Sequence, residues 1–309
     1  MSVNPQVGRL DHVHTPEQQL FTPRTPRVVA ARRLQRRRER DQTGRFLAEG
    51  PQAVREALTV PGAVVELFGT PAGLDRYADL AGTATAAGIP VSALTDEALA
   101  ALTETVAPQG VVAVCHQLDV PLAEAVGTGP RLVAVLAGIR DPGNAGTVLR
   151  TADAAGAQAV VFAGEAVDPY NGKCVRASAG SLFHLDVVRA ADPAETVATL
   201  RAAGLAVLAA SGYGETDLDD LTDVGALARP TAWLFGSEAH GLPAELAGAA
   251  DHRVRVPLHG RAESLNLAAA AAVCLYASAR ALRPGRPHPD PGGGPVTSET
   301  RTRTGEMST

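Results

Sequence analysis

Apolar and polar positions along this chain follow two rhythms that alternate block by block. Apolar runs of strand length recur at Val64–Phe68, Val111–Cys115, Leu132–Ala137, Ala159–Ala163, Leu185–Val188, Leu205–Ala210, Thr231–Phe235 and Arg253–Val256, with Pro90-Val91-Ser92 as a shorter one. Helical patterns lie between them: Pro51–Leu58, Leu74–Ala87 closed by Gly88, Asp96–Leu102 behind the capping Thr95, and Thr147–Ala155 closed by Gly156. Val175–Leu182, Ala194–Ala203, Ala244–Ala249 and a long Ala-rich stretch from Leu265 continue the series. Strands alternating with helices predict an α/β fold with a mainly parallel sheet covered on both faces.

The same pattern divides the chain. Residues 1–45 read as a basic, disordered arm, polar and broken by Pro5, Pro16, Pro23 and Pro26 at first, then Arg-rich from Arg32 to Arg45. Residues 46–116 form a smaller α/β domain without a paired acid and base, which makes it a binding module. Residues 117–130, with Pro121, Gly127, Gly129 and Pro130, read as a linker, 131–283 as the larger α/β domain, and 284–309 as a disordered Pro, Gly, Ser and Thr tail.

Charge sharpens this division. The chain of 309 residues carries a net charge of −5, yet residues 1–45 hold ten Arg against four acids, about +6, leaving about −11 for the remainder. So many guanidinium groups in one short segment suit nucleic-acid phosphates, and Arg32, Arg33, Arg36 and Arg37 are the candidate contacts. No run reaches the roughly 18 apolar residues of a membrane span, and no apolar signal core opens the sequence. Three widely spaced cysteines argue against a disulfide framework and fit a reducing, cytoplasmic setting. The eight His show no ligand spacing with Cys or acids, so no metal site is expected.

Chemistry concentrates in three stretches that follow strands. The first is Asp141-Pro142-Gly143-Asn144-Ala145-Gly146-Thr147-Val148-Leu149-Arg150, read as a turn leading into a helix, with Asn144 and Arg150 as its functional side chains. The second runs from Leu234 to Pro243 through Gly236-Ser237-Glu238, and the third from Val256 to Asn266. In a parallel sheet such loops open at the carboxyl edge, where ligands bind, so Asn144, Arg150, Glu238, Ser264 and Asn266 are candidates for one site. Taken singly, each has a plainer reading: a Gly-x-x-Gly turn, an exposed Glu, a helix cap at Ser264 or Asn266.

Taken together, Asn-x-Gly-x-x-x-Arg in Asn144–Arg150, Gly-Ser-Glu-x-x-Gly-Leu in Gly236–Leu242 and Pro-x-x-Gly-x-x-x-Ser-Leu-Asn in Pro257–Asn266 resemble the three motifs of the SpoU, or TrmH-like, RNA 2′-O-ribose methyltransferases. Residues 46–115 resemble, more loosely, the L30e/L7Ae-like substrate-binding domain of such enzymes, including the thiostrepton-resistance type. Asn171–Ser181 resembles a segment of members that modify ribosomal RNA, and Arg176 within it is a candidate RNA-phosphate contact. The resemblance implies a C-terminal trefoil knot and homodimers whose active site draws on both subunits. It also implies S-adenosylmethionine held through Gly236, Val256 and Leu265, with Leu234, Ser237, Gly241 and Leu258 as neighbours. The Ala-rich face of Leu267–Ala281 is compatible with close helix packing, as in a dimer, and equally with an ordinary core helix.

The resemblance further implies that Arg150 activates the ribose hydroxyl. A guanidinium has five donors and no acceptor, so a charged Arg150 that grips phosphate and steadies the developing alkoxide is the less costly role. In that reading Asn144 holds Arg150, Glu238 orients the site or cofactor, and Ser264 and Asn266 bind near the methionine part or the ribose. Ribosomal RNA, 23S in particular, is the favoured substrate and transfer RNA the alternative. A dehydrogenase is disfavoured because Gly143-Asn144-Ala145-Gly146 lacks the full dinucleotide fingerprint and Asp168 stands in a loop before Pro169. A non-catalytic RNA-binding protein of the same fold would have lost the motif Arg, Glu or Asn, and all are present.

Overall fold

Most of the predicted strands form at or near their predicted limits in the computed structural model, which describes residues 20–283. The chain forms two compact units. One comprises the described residues up to Leu118 together with Asp141–Arg150 and Asp168–His184; the other comprises Asp119–Arg140, Thr151–Val167 and the described residues from Leu185 on.

The first unit holds a four-stranded mixed sheet of β1 (Arg45–Glu49), β2 (Val64–Gly69), β3 (Val91–Ala93) and β4 (Val111–His116) in the order β1-β4-β2-β3. The β1/β4 and β4/β2 pairs are antiparallel and β2/β3 is parallel. The expected single helix over Leu74–Ala87 is two, Pro71–Arg76 and Ala78–Ala86, because Tyr77 leaves helical geometry at φ −115° and ψ 46°. Thr70 caps the first of them, its hydroxyl accepting from the Gly73 amide. Helix Asp96–Leu102 starts as expected, with Thr95 accepting from the Ala98 amide.

The arm expected over residues 1–45 is folded from Pro26 onward. Helices Pro26–Arg33 and Arg37–Thr43 precede β1. Val28, Ala31 and Leu34 recur every third residue on one face and enter a core with Leu47, Phe68, Leu99, Leu102 and Val112. Counting charge alone hid that apolar stripe. Arg40 is also buried, and its Nε and Nη2 donate to Asp168 Oδ2 at 2.7 and 2.6 Å, while Nη1 donates to the carbonyls of Leu34 and Gln35. Arg32, Arg33, Arg36 and Arg37 stay exposed. Residues 1–19 and the tail from 284 on lie outside the described residues.

The second unit is a seven-stranded sheet of β5 (Leu132–Ala137), β6 (Ala159–Ala163), β7 (Asp186–Ala190), β8 (Ala206–Ala210), β9 (Thr216–Asp217), β10 (Thr231–Phe235) and β11 (His252–Arg255). Its order is β7-β6-β5-β10-β8-β11-β9, and every neighbouring pair is parallel. Side chains alternate across it. Val133, Val135, Val161, Val207, Ala232 and Leu234 join Val197, Leu200 and Leu246 on one face. On the other, Trp233 packs under the C-terminal helix Leu267–Ala281, its indole N–H donating to Ser278 Oγ at 2.9 Å. The expected linker 117–130 holds helix Leu122–Gly127, whose Ala125 belongs to the sheet's core. Strand β9, two residues long, and helix Leu218–Asp223 carry no periodic signal of their own.

A buried ion pair that loses one partner leaves an uncompensated charge, at about 3–5 kcal/mol. Arg40→Ala is therefore expected to destabilise the first unit by about that amount in urea unfolding. Arg40→Met combined with Asp168→Leu should recover most of the loss.

Candidate active site

Strands β5 and β10 are adjacent, with Leu136 opposite Phe235, and the strand order reverses between them. At such a reversal the loops leaving the carboxyl ends diverge and open a crevice. The first motif follows β5 in sequence and the second follows β10.

The first motif differs from its sequence reading. It is not a turn: helix runs from Pro142 to Ala154, starting five residues earlier than expected. Asp141 is its cap, the carboxylate Oδ1 accepting from the Asn144 amide at 2.7 Å and the backbone carbonyl from Ala145. An Asp followed by Pro is a helix-start signal as well as a turn signal, so the letters alone leave both open. Asp141 Oδ2 also takes a hydrogen bond from Lys173 Nζ at 2.8 Å. The Lys173 hydrogen bond and the Asn144 amide hold the Asp141 carboxyl below the usual carboxylate range.

The helical form separates Asn144 from Arg150. Six residues correspond to about 240° around the axis and about 9 Å along it, so Asn144 does not hold Arg150. Arg150 is exposed, and its guanidinium meets no hydrogen-bond or ion-pair partner among the described residues.

Residues 168–184 support this helix within the same unit. Helix Gly172–Ser178 begins at Asn171, whose side chain accepts from the Lys173 amide. It ends earlier than the predicted Leu182 because Ala179 and Gly180 both take positive φ, 49° and 98°. At Gly146 a Cβ would lie 2.4 Å from the Cys174 carbonyl oxygen, so only glycine lets the two helices meet backbone to backbone. Arg176 is engaged by acids: Nη1 lies 3.0 Å from Glu49 Oε2 and Nη2 3.5 Å from Glu104 Oε2. Burial raises the Glu49 carboxyl, with Arg176 opposing the shift.

The second unit carries the other two motifs. After β10 the chain closes on itself at Ser237 and Gly241, which exchange backbone hydrogen bonds of 3.1 and 2.8 Å. A Cβ at Gly236 would fall 2.2 Å from the Gly241 carbonyl carbon, and Gly241 itself has φ 66°. Glu238 is exposed on this turn. Leu234 is fully buried in the sheet core, so only its backbone can serve a ligand. In the third motif Asn266 caps helix Leu267–Ala281, accepting from the Ala268 amide at 2.9 Å, and Ser264 is exposed. Val256, Leu258 and Leu265 do converge. With Pro257, Leu218 and Val273 they line an open, mostly apolar cleft of about 470 Å³. Gly236, Ser237 and Gly241 do not line it.

Among the described residues no grouping of three or more His, Cys, Asp or Glu could hold a metal ion, and no helix is long and apolar enough to cross a membrane.

Known proteins match both units. Residues 131–276 match the SpoU rRNA Methylase family and residues 25–113 the MRM3-like substrate binding domain. The second match includes both N-terminal helices, as the structure does. The chain is 36% identical over 263 residues to a 23S rRNA (guanosine(2553)-2′-O)-methyltransferase of Bacillus subtilis, covering 84% of this chain and 98% of that one. An AdoMet-bound rRNA methyltransferase from Sinorhizobium meliloti superimposes with TM-score 0.74 at 34% identity, over 84% of this chain and 96% of the other. The SpoU methyltransferase AviRb from Streptomyces viridochromogenes, in complex with AdoMet, gives TM-score 0.71 at 30% identity, over 83% and 98%.

Two outcomes follow from the geometry. Gly236→Ala must push the Gly241 backbone away, so it should destabilise the second unit by about 1–3 kcal/mol in urea unfolding. Because the Asp141 carboxyl is depressed, its contribution to stability is present above the ordinary carboxylate range and is lost as pH falls through the lowered value. Asp141→Asn should therefore flatten the acid limb of melting temperature against pH, below about pH 4.

Proposed function

The chain belongs to the SpoU rRNA methylase family, and on that premise we propose that it transfers a methyl group from S-adenosylmethionine to a ribose 2′-hydroxyl of 23S ribosomal RNA. The observation that carries the reading is the match of residues 131–276 to the SpoU rRNA Methylase family, with the second motif leaving β10 where the strand order reverses beside β5. The identity to the Bacillus enzyme over nearly its full length supports the RNA class.

The third-motif cleft fits the cofactor. Its apolar walls at Val256, Leu258 and Leu265 suit an adenosyl group, and its volume of about 470 Å³ lies in the range of small-molecule sites. Bound there, the cofactor supplies an electrophilic methyl on a sulfonium.

The protein's own residues do the rest. Arg150, exposed and uncommitted, grips the RNA phosphate through its planar fork and steadies the charge that develops on the ribose oxygen. Phosphate or water accepts the proton, since a guanidinium offers no acceptor. Glu238 orients the site or the cofactor, Ser264 binds near the methionine part or the ribose, and Asn266 fixes the start of the last helix. Asn144, on another face of the same helix, contributes to the site without holding Arg150. The exposed Arg32, Arg33, Arg36 and Arg37 supply phosphate contacts from the first unit. The exposed Tyr276 on helix Leu267–Ala281 supports a homodimer, and membership of the family implies a knot in the C-terminal part. A cytoplasmic setting suits such a substrate.

Arg150→Lys keeps the charge and loses the fork. In single-turnover assays on unmodified 23S ribosomal RNA it should lose about 10²-fold or more in rate with cofactor affinity unchanged. A near-normal rate would sink the shaped-guanidinium account. Transfer only to transfer RNA would replace the substrate.

A further inference from the structure

Helix Gly172–Ser178 carries two cations three residues apart, and each is committed to a different part of the first unit. Lys173 reaches forward to Asp141, the cap of the Arg150-bearing helix, at 2.8 Å. Its side chain also lies over Gly143, where a Cβ would come within 2.9 Å of Lys173 Cε. Arg176 reaches back to Glu49 at the end of β1 and to Glu104 after helix Asp96–Leu102. Glu49 itself accepts from the Glu104 amide at 3.1 Å, which ties these two acids into one receiver. Between the cations, the Cys174 carbonyl fills the notch left by Gly146, one turn before Arg150.

The geometry points to Lys173 and Arg176 as positioning residues for methyl transfer, acting as the two ends of a strut that sets the Arg150 helix on the RNA-binding module. The inference rests on the reading of Arg150 given above. It assigns Arg176 a task other than phosphate contact, because its fork is already taken by Glu49 and Glu104. Held this way, RNA docked on the module meets Arg150 at a fixed distance, and displacement of order 1 Å can cost about 10²-fold in rate.

The test uses the full chain, unmodified 23S ribosomal RNA, saturating RNA and S-adenosylmethionine, and temperatures below each variant's melting point. Lys173→Met, Arg176→Gln and Gly146→Ala should each lower the single-turnover rate about tenfold or more, with RNA and cofactor affinities within about twofold of wild type. Lys173→Arg, which keeps the bond to Asp141, should recover most of the rate. Gly146→Ala removes no charge, so its effect separates positioning from phosphate contact.

A wild-type rate in Lys173→Met and Gly146→Ala, whatever their melting temperatures, overturns the inference. So does normal turnover at saturation accompanied by weaker RNA binding and a flatter salt dependence, the behaviour of phosphate contacts. An Arg150→Ala variant at wild-type rate overturns the underlying reading with it; an inactive Arg150→Ala beside fully active strut variants overturns the strut alone.

Discussion

The pairing of β5 with β10 is the constraint on which the sheet of the second unit depends. Both strands are buried along their whole length, and five successive residue pairs from Leu132–Thr231 to Leu136–Phe235 lie in parallel register. A parallel strand in this position must be covered above and below, which is why Ala232 and Leu234 face one helical layer while Trp233 faces the other. A slip of one residue would exchange those faces and carry Trp233 away from Ser278. The same register brings the ends of β5 and β10 level, so the two chains that leave them begin from a common edge.

Elements whose signal was local could be read from the sequence. Leu132–Ala137, Ala159–Ala163 and Thr231–Phe235 form strands with the predicted limits, and Asp96–Leu102 a helix with its predicted cap. These stretches decide their own conformation through apolar continuity or a capping hydroxyl. The failures came where a distant partner decides. Residues 26–43 read as part of a basic, phosphate-contacting arm because charge dominates their composition, yet Val28, Ala31 and Leu34 find a core and Arg40 finds Asp168, 128 residues away. No spacing rule could pair those two.

The candidate site was legible to a different degree. Motifs nominate its residues, and of these Val256, Leu258 and Leu265 line one cleft. Its local conformation was misread at Asp141-Pro142, where turn and helix start share the same letters. That ambiguity matters chemically. As a turn, the segment could have folded Asn144 back onto Arg150; as a helix, it fixes both along one rigid rod and sends them to different faces. The supporting residue Lys173 had no sequence signature, because its role comes only from a carboxylate 32 positions earlier.

Four arginines of this chain show that composition does not assign a cation its task. Arg40 is buried and fully committed to Asp168 and two carbonyls, Arg176 is divided between Glu49 and Glu104, and Arg37 lies beside Asp41 at 3.5 Å on an exposed helix face. Arg150 alone of the four has no such partner among the described residues. An acid beside it would neutralise the fork and compete with phosphate for its donors. With Asp141 engaged by Lys173 and Glu49 by Arg176, Arg150 stays a shaped, solvent-facing cation on helix Pro142–Ala154. That arrangement suits a group that binds phosphate and stabilises developing charge; it gives no support to one that must first lose a proton.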